Sequence, residues 1–287
     1  MTGRVLVTGG GGFIGRHAVP LLRARGFEVL APSHAEADLL APGVAAALVA
    51  RLRPTHLLHL AWNATPGRFW TAPDNLDWVA ASLALHRAFA AAGGRRAVCA
   101  GTCAEYDWSH AELDEATTPC TPATLYGTAK DALRRLLMAS PEGVSLAWGR
   151  VFFLYGPGEA PGRLVSDVVT ALLAGQEARC GEGLVQRDFM HVADVAGALV
   201  ALLASDVTGP VNIASGECLP LRRVIDEAAR QIGRPDLLRY GARPSPPGEP
   251  TRLAAATRRL REEVGFTPRF PLDAGLADTI AWWRGRG

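Results

Sequence analysis

The chain has 287 residues and a net charge of +2, from 30 basic and 28 acidic side chains, and 48% of its residues are hydrophobic. These values exclude a disordered chain and the strongly basic surface of a nucleic-acid-binding protein, and no apolar run approaches the ~18 residues of a membrane-spanning helix. The five cysteines are scattered and form neither a disulfide scaffold nor a metal-ligand pattern, so we expect a cytoplasmic protein with no metal site. The charge and the apolar pattern likewise predict no contact with nucleic acid or membrane.

Strands and helices alternate through the first half of the chain, as short β-branched runs followed by longer segments rich in Ala and Leu. The run His56–Leu60 has leucine at three of its five positions and no Asp, Glu, Lys or Arg, which fits a strand covered on both faces of its sheet. The alternation itself predicts a parallel sheet with helices on both sides. The pattern predicts strands at 5–7, 28–31, 55–60, 97–100 and 145–151 and helices at 13–25, 44–51, 76–92 and 126–139.

The second half of the chain has a looser pattern. A loop is expected at 241–250, which contains four prolines. We predict an α/β protein with a Rossmann-type doubly wound parallel sheet and a smaller C-terminal α/β substrate domain. Residues 1–157 form the NAD(P)-binding domain, with return segments near 187–214, and residues 158–287 form most of the substrate domain. The remaining predicted elements are helices at 164–174, 195–203, 221–232, 258–264 and 274–283 and strands near 189–192 and 211–214.

A glycine-rich loop joins the first strand to the first helix, with the sequence Gly9-Gly-Gly-Gly12-Phe13-Ile14-Gly15. Gly9 can form the tight turn, Gly12 lets the backbone approach a pyrophosphate, and Gly15 lets the helix pack closely on the sheet. The N-terminus of the helix then offers free N–H groups to the phosphates. The loop therefore predicts a dinucleotide cofactor.

The end of the second strand indicates which dinucleotide is used. NAD-binding proteins usually place a carboxylate there to bind the ribose 2′-hydroxyl, whereas this chain has Ser33. A serine can donate a hydrogen bond to a 2′-phosphate, so the sequence favours NADP(H), with NAD(H) as the alternative. Asp38 either contacts the adenine or is a solvated loop residue.

One pair of residues at the start of a predicted helix indicates catalysis. Tyr126 and Lys130 are four residues apart and share one helix face, and Lys130 is the only lysine in the chain. An adjacent ammonium lowers the pKa of a phenol, and it can also reach the cofactor ribose. Thr102 ends the fourth strand, where its hydroxyl can contact a substrate carbonyl. Cys103 is more typical of the wall of the crevice than of a nucleophile.

Taken together, these motifs resemble the extended short-chain dehydrogenase/reductase family. The resemblance implies a Rossmann fold, a nucleoside-diphosphate sugar as substrate, catalysis by Thr102, Tyr126 and Lys130, and a homodimer. The matching segments are Thr8-Gly9-x-x-Gly12-Phe13-Ile14-Gly15, Asp38-Leu39, His59-Leu60-Ala61, Thr102 four residues before Tyr106, Tyr126-x-x-x-Lys130, Tyr155-Gly156-Pro157-Gly158, Arg187-Asp188-Phe189-x-His191-Val192-x-Asp194-Val195, Asn212-Ile213-x-Ser215-Gly216 and Trp282-Trp283.

The same resemblance extends the set of expected ligand contacts. Arg187 matches the arginine that binds phosphate in the family, and Arg243 in the proline-rich loop is a second candidate for the substrate diphosphate. Phe153 stands where the family often has an asparagine that meets the diphosphate, and Cys103 lies beside Thr102. The cofactor contacts implied beyond Gly9, Gly12, Gly15, Tyr126 and Lys130 are Phe13, Ile14, Ser33, His34, Asp38, Leu39, Leu60, Ala61 and Trp62.

Several reactions are compatible with this family. Its dehydratases carry an Asp-Glu pair directly after the catalytic threonine, where this chain has Cys103 and Ala104, so dehydration is disfavoured. Glu105 is expected to point away from the site on an extended segment. Ser33 and the short chain favour NADPH-dependent reduction of a 4-keto-6-deoxyhexose at C4. The alternatives are an NAD-dependent 4-epimerase and, less favoured, a non-catalytic NADP-binding sensor.

Overall fold

A computed structural model describes residues 3–140, 142–244 and 248–286. Its strands are β1 (Arg4–Thr8), β2 (Glu28–Leu30), β3 (His56–His59), β4 (Arg96–Thr102), β5 (Glu112–Leu113), β6 (Ser145–Val151), β7 (Phe153–Tyr155), β8 (Ala178–Arg179), β9 (Gln186–His191), β10 (Gly209–Ile213), β11 (Cys218–Pro220), β12 (Leu238–Arg239) and β13 (Arg252–Ala255). Its α-helices are α1 (Gly15–Ala24), α2 (Val44–Leu52), α3 (Asn75–Ala91), α4 (Leu125–Met138), α5 (Leu164–Leu173), α6 (Val192–Ala204), α7 (Leu221–Ile232) and α8 (Leu272–Arg284).

Six parallel strands form the main sheet, in the order β10-β6-β4-β3-β1-β2. Helices α1 and α6 pack against each other on one face, and α2, α3 and α4 pack together on the other. Strand residues with no exposed surface, such as Val5 and Leu6, alternate between the two apolar layers. The predicted Rossmann-type doubly wound sheet is therefore confirmed, and its strand ends converge at one edge.

The second half of the chain contributes a smaller layer of its own. A five-stranded sheet contains β11, β9, β13 and β5 in that order, with β7 paired to β9. Helices α5, α7 and α8 share one apolar core beside it. Of the return segments expected near 187–214, β10 joins the main sheet and α6 packs on α1, whereas β9 belongs to this smaller sheet. The domain boundary at 157 stays a prediction.

The structure departs from the predicted elements at several places. Helix α1 begins at Gly15, because Phe13 and Ile14 belong to the glycine turn, and the helix expected at 258–264 is a short π-helical turn, Arg259–Glu263. The short strands β5, β7, β8 and β11 to β13 were not predicted, because two to four residues carry too little periodicity. In the loop expected at 241–250, the described residues form no helix or strand, and 245–247 lie outside them.

Within the residues that the structure describes, no helix combines the length and apolar character needed to cross a bilayer.

Candidate active site

Two adjoining cavities, of about 300 and 490 Å³, follow the carboxyl ends of the main-sheet strands. Parallel strands place their carboxyl ends at one edge, and ligands of such sheets bind there. Gly9, Gly12, Ala61 and Trp62 line both cavities, so the two form one continuous groove. The groove runs from the end of β2 to the side chains of Thr102 and the residues around it.

The glycine turn fits a dinucleotide pyrophosphate. Gly9 has a φ of +71°, which a residue with a side chain rarely adopts, and the Gly12 N–H donates to its carbonyl at 3.0 Å. A side chain at Gly15 would collide with the same carbonyl, so α1 approaches the turn closely only because position 15 is a glycine. The turn therefore leaves backbone N–H groups and the N-terminus of α1 facing the groove.

Beyond the four residues shared with the larger cavity, the smaller cavity is lined by three further predicted cofactor residues, Ser33, His34 and Leu39. Asp38 does not line it, because its carboxylate accepts from the Leu40 N–H at 3.0 Å. Both hydrogen-bond donors of Ser33 are engaged within the loop in this structure. Its N–H and hydroxyl both donate to the Glu36 carboxylate, at 2.7 and 2.8 Å, and the N–H bond is the main reason that the Glu36 pKa lies below its usual value.

The other predicted cofactor residues line the larger cavity. Phe13, Ile14 and Gly15 contribute from the glycine turn and the start of α1, and Leu60 contributes from the end of β3. Both walls of the groove therefore carry residues expected to hold the cofactor.

Thr102 is followed by a 3₁₀ turn, Cys103–Glu105, and not by the extended segment expected from the sequence. The Thr102 hydroxyl accepts from the Ala104 N–H at 3.2 Å, and the Glu105 carboxylate accepts from the Thr102 N–H at 2.8 Å. This reciprocal pattern is a capping box. Glu105 points away from the cavity as predicted, because it is fully buried and pairs with Arg150 at 2.8 Å.

Tyr126 lies in the first turn of α4 and lines the larger cavity together with Thr102. The helix approaches the 3₁₀ turn closely because Gly127 has no side chain to meet the Ala104 carbonyl. The rings of Trp62, Phe69 and Trp70 surround the Tyr126 ring edge-on, with centroids 6.4, 4.9 and 5.8 Å away. These rings shield the phenol from water on its protein side.

Burial under these rings raises the pKa of Tyr126, and the Thr102 hydroxyl opposes part of that rise. The sequence predicts the opposite direction, because it places the Lys130 ammonium beside the phenol. In the structure, that ammonium donates to the Ala100 carbonyl at 2.8 Å and lies 3.8 Å from the centroid of the Trp62 ring. The protein residues around Tyr126 therefore favour its protonated form at neutral pH.

Lys130 occupies a closely fitting site. It is 5% exposed and lines the larger cavity, and burial lowers its pKa to about 7 against the opposing effect of Glu105. A planar guanidinium is wider than an ammonium and stays charged at any working pH. An arginine at position 130 would therefore bring a wider and permanently charged group to this buried position.

Lys130→Arg is accordingly expected to lower kcat/KM by about 100-fold, the order of effect that a displaced active-site group produces. Steady-state kinetics and the cofactor dissociation constant would measure the change. Thr128→Arg, on an exposed position of the same helix, is the control for adding an arginine to α4. Near wild-type activity in Lys130→Arg would show that the lysine has no special role.

The predicted substrate residues divide into two groups. Cys103 and Phe153 line the larger cavity. Arg187 does not, because it is buried and paired with Glu249 at 2.8 Å. Arg243 is also outside the cavity, at 3.4 Å from Asp167 with its side chain 61% exposed. In this structure, neither arginine expected at the diphosphate faces the cavity that contains Thr102 and Tyr126.

Sequence reasoning missed several residues of the larger cavity. Phe69 and Trp70 lie in the loop after β3, and Trp108 lies in the loop after β4. Loops at the carboxyl ends of parallel strands border the ligand site, so the position of these residues could have indicated that they line it. Glu159 and Arg163 both precede α5 and also line the cavity. Glu159 is 5% exposed and accepts from the Ser166 N–H at 2.9 Å. Burial raises its pKa to about 8.

Within the described residues, no group of three or more His, Cys, Asp or Glu side chains could hold a metal ion. The ionisable side chains that line the larger cavity there are those of Cys103, Tyr126, Lys130, Glu159 and Arg163.

Comparisons with known proteins identify the family. The family model described as the NAD dependent epimerase/dehydratase family matches residues 5–214. The chain belongs to this family. The resemblance seen in the sequence is thereby confirmed, and the protein is an NAD(P)-dependent oxidoreductase of the short-chain type, which uses a nicotinamide cofactor.

Two curated relatives are similar to this chain over most of its length. A dTDP-4-dehydro-6-deoxy-D-allose reductase of Streptomyces bikiniensis is 29% identical over 98% of this chain and 96% of its own. A dTDP-6-deoxy-L-talose 4-dehydrogenase (NAD(+)) of Aggregatibacter actinomycetemcomitans is 27% identical over 78% of this chain and 88% of its own. Both names describe oxidoreductases of 6-deoxy sugar nucleotides.

Solved structures of two similar proteins contain a nicotinamide cofactor. MoeE5 in complex with UDP-glucuronic acid and NAD has a TM-score of 0.84 and is 31% identical, over 99% of this chain and 100% of that one. The UDP-glucose 4-epimerase of Thermus thermophilus, in complex with NAD, has a TM-score of 0.86 and is 26% identical, over 99% of this chain and 100% of that one. Relatives of this chain therefore include both reductases and epimerases.

Proposed function

We propose that this enzyme reduces the C4 ketone of a nucleoside-diphosphate 4-keto-6-deoxyhexose, using a reduced nicotinamide dinucleotide held at the glycine turn. The observation that carries the proposal is the set of proton-transferring groups beside the cofactor groove. Thr102 and Tyr126 line the cavity together, whereas Cys103 and Ala104 occupy the positions that follow Thr102. Neither of these two positions supplies a carboxylate for the elimination of water, and the Glu105 carboxylate is bonded to Arg150 outside the cavity.

The residues divide the work of the reduction between them. A reduced nicotinamide cofactor held at the glycine turn would supply a hydride to C4, which would leave negative charge on O4. Tyr126 donates its proton to O4, and Thr102 donates a hydrogen bond to the same oxygen. A positioned general acid of this kind contributes about 10² to 10⁴ in rate. Lys130 would hold the cofactor ribose; this role is supported by its position in the wall of the larger cavity, where its amino group contacts the Trp62 ring and the Ala100 carbonyl.

The protonated state of Tyr126 suits the donation of a proton to a ketone oxygen. The aromatic rings of Phe69 and Trp70 cover part of Tyr126, and the desolvation of its phenol raises its pKa. The relative from S. bikiniensis, which matches over nearly the full length, supports the same reaction class.

The walls of the cavity suit a 6-deoxy sugar. Trp70, Trp108, Phe153 and Phe189 all line the larger cavity and present apolar surface. A C6 methyl group can pack on such surface, whereas a C6 hydroxyl would lose its hydrogen bonds to water there. This lining supports a 6-deoxyhexose over a hexose as the substrate that we propose.

Glu36 determines the choice of cofactor in this proposal. The sequence favours NADP(H) because Ser33 can donate to a 2′-phosphate. In the structure, both Ser33 donors are bonded to the Glu36 carboxylate. Glu36 is exposed and does not line the smaller cavity, but its negative charge beside Ser33 would disfavour a 2′-phosphate and suit a ribose 2′-hydroxyl. We therefore expect NAD(H) to be used in preference to NADP(H).

Glu36→Gln is expected to lower the ratio of kcat/KM for NADH over NADPH by about fivefold, a modest effect because exposed charges are screened by solvent and salt. Parallel kinetics with the two cofactors at low ionic strength would measure the ratio. Glu28→Gln, at an exposed carboxylate on β2, is the matched control. A wild-type preference for NADPH, or an unchanged ratio in Glu36→Gln, would contradict this role.

The reaction itself is tested by absorbance of the reduced nicotinamide with a panel of nucleoside-diphosphate 4-keto-6-deoxyhexoses. The proposal predicts oxidation of one cofactor for each sugar reduced. Isomerisation of a sugar nucleotide without net oxidation would select the epimerase, and cofactor binding with no turnover would select the sensor. The homodimer and the cytoplasmic location expected from the sequence stay predictions.

A further inference from the structure

Arg163 extends across the mouth of the larger cavity. It directly precedes α5, in the second half of the chain, and its guanidinium donates to the Ala64 carbonyl at 3.2 Å. Ala64 follows β3 in the first half of the chain and lines the same cavity. The guanidinium also lies 5.3 Å from the centroid of the Phe69 ring, one of the rings that surround Tyr126. Arg163 is therefore held beside the reaction centre from the opposite wall.

Arg163 is in no salt bridge among the described residues, although the Glu159 carboxyl is near enough to interact with it electrostatically. Arg187 and Arg243, in contrast, pair with Glu249 and Asp167. The other cation that lines the cavity, Lys130, donates to the Ala100 carbonyl. Arg163 is thus the guanidinium available to an anion that enters this cavity.

Local structure does not account for an arginine at this position. A cation at a helix N-terminus is unfavourable with the helix dipole, and the Arg163 side chain makes no capping hydrogen bond to α5. Departures from local preference are expected where a residue serves a function. The nearest lining carboxyl, Glu159, is bound to the Ser166 N–H instead.

We propose that Arg163 binds the diphosphate of the nucleotide sugar, in place of the arginines that the sequence assigns to this role. A guanidinium can form two parallel hydrogen bonds to phosphate oxygens, which fixes both the position and the orientation of the ligand. This inference rests on the proposed function, which supplies the nucleoside diphosphate. Arg163 would bind the diphosphate of the substrate while Tyr126 and Thr102 contact the ketone oxygen.

The test measures the binding of UDP and dTDP by calorimetry to the cofactor-loaded enzyme and its variants. Arg163→Gln is expected to weaken binding of the nucleoside diphosphate by about 10- to 100-fold, the range for a lost charge-assisted contact. The KM of the sugar nucleotide should rise by a similar factor while kcat changes little. Arg258→Gln, at an exposed residue remote from the cavity, is the matched control, and unchanged cofactor affinity shows that the variant folds.

Several outcomes would overturn the proposal. If Arg163→Gln bound the nucleoside diphosphate with wild-type affinity, or if only Arg187→Gln lost affinity, another residue would bind the diphosphate. A variant that still binds UDP but loses UDP-glucuronic acid would mean that Arg163 recognises a sugar carboxylate. No binding of either nucleoside diphosphate to the wild type would also reject it. Tight diphosphate binding without turnover of any 4-keto sugar would instead reject the reductase and leave the role of Arg163 standing.

Discussion

Tyr126→Phe is expected to lower kcat by about 10²- to 10⁴-fold, because it removes the proton donor and leaves the rest of the cavity in place. The ring packs edge-on against Phe69 and Trp70, and phenylalanine preserves these contacts. The affinity for the nicotinamide cofactor should therefore stay close to that of the wild type. Stopped-flow measurement of a single turnover, together with a cofactor titration, would separate the chemical step from binding.

Tyr240→Phe is the matched control for this substitution. Its hydroxyl donates to Asp226 at 2.6 Å, away from both cavities that hold the predicted site, so the same chemical change should leave kcat unaffected. Activity of Tyr126→Phe above about a tenth of the wild type would be too high for the loss of a general acid. That result would assign the proton to another donor.

Glu105→Ala is expected to destabilise the fold by about 3–5 kcal/mol, because it leaves the Arg150 guanidinium buried without its partner. Glu105 has no exposed surface, and its carboxylate also accepts from the Trp148 indole and from the Thr102 N–H, both at 2.8 Å. The variant therefore leaves two further donors unpaired directly beneath the candidate active site. Urea unfolding of the cofactor-free protein would measure the change in the free energy of unfolding.

Glu263→Ala provides the comparison for a surface ion pair. Glu263 pairs with Arg259 at 2.7 Å, but its side chain is 42% exposed, so its loss should cost about 1 kcal/mol or less. If Glu105→Ala lowered the free energy of unfolding by no more than this control does, the buried ion pair would not be important for stability.

The sequence was sufficient for the main sheet and for the cofactor side of the groove. The glycine turn, the strand ends and the helical spacing of Tyr126 and Lys130 are local patterns, and each depends on a few neighbouring residues. Alternation of strands and helices then restricts the topology to a parallel sheet. Those features follow from short-range chemistry, so they can be predicted without coordinates.

Two capping-box patterns in the sequence indicate local structure that the spacing of apolar residues does not. Thr102-x-x-Glu105 and Ser33-x-x-Glu36 both match the capping-box pattern. In each, the glutamate bonds back to the first residue of the pattern, at 2.8 and 2.7 Å for the two N–H groups. The pattern at 102 explains why that segment is a turn, and the pattern at 33 explains why both Ser33 donors are engaged.

The arginines could not be assigned from the sequence. Arg187 pairs with Glu249, 62 residues later in the chain, and Arg163 reaches Ala64, 99 residues earlier. Such contacts depend on how the two halves of the chain meet, and a match to a family motif does not contain that information. The direction of the Tyr126 pKa shift has the same origin, since it depends on aromatic rings from a distant loop.

The central claim is that this enzyme transfers a hydride to C4 of a 4-keto-6-deoxyhexose nucleotide and releases the oxidised cofactor. The most direct test uses a reduced nicotinamide cofactor carrying deuterium at the transferred position, with the product examined by NMR. A 4-ketoreductase would give stoichiometric deuterium at C4 of the product sugar and an equal amount of oxidised cofactor in solution. An epimerised sugar with no deuterium and no net cofactor oxidation would contradict the claim.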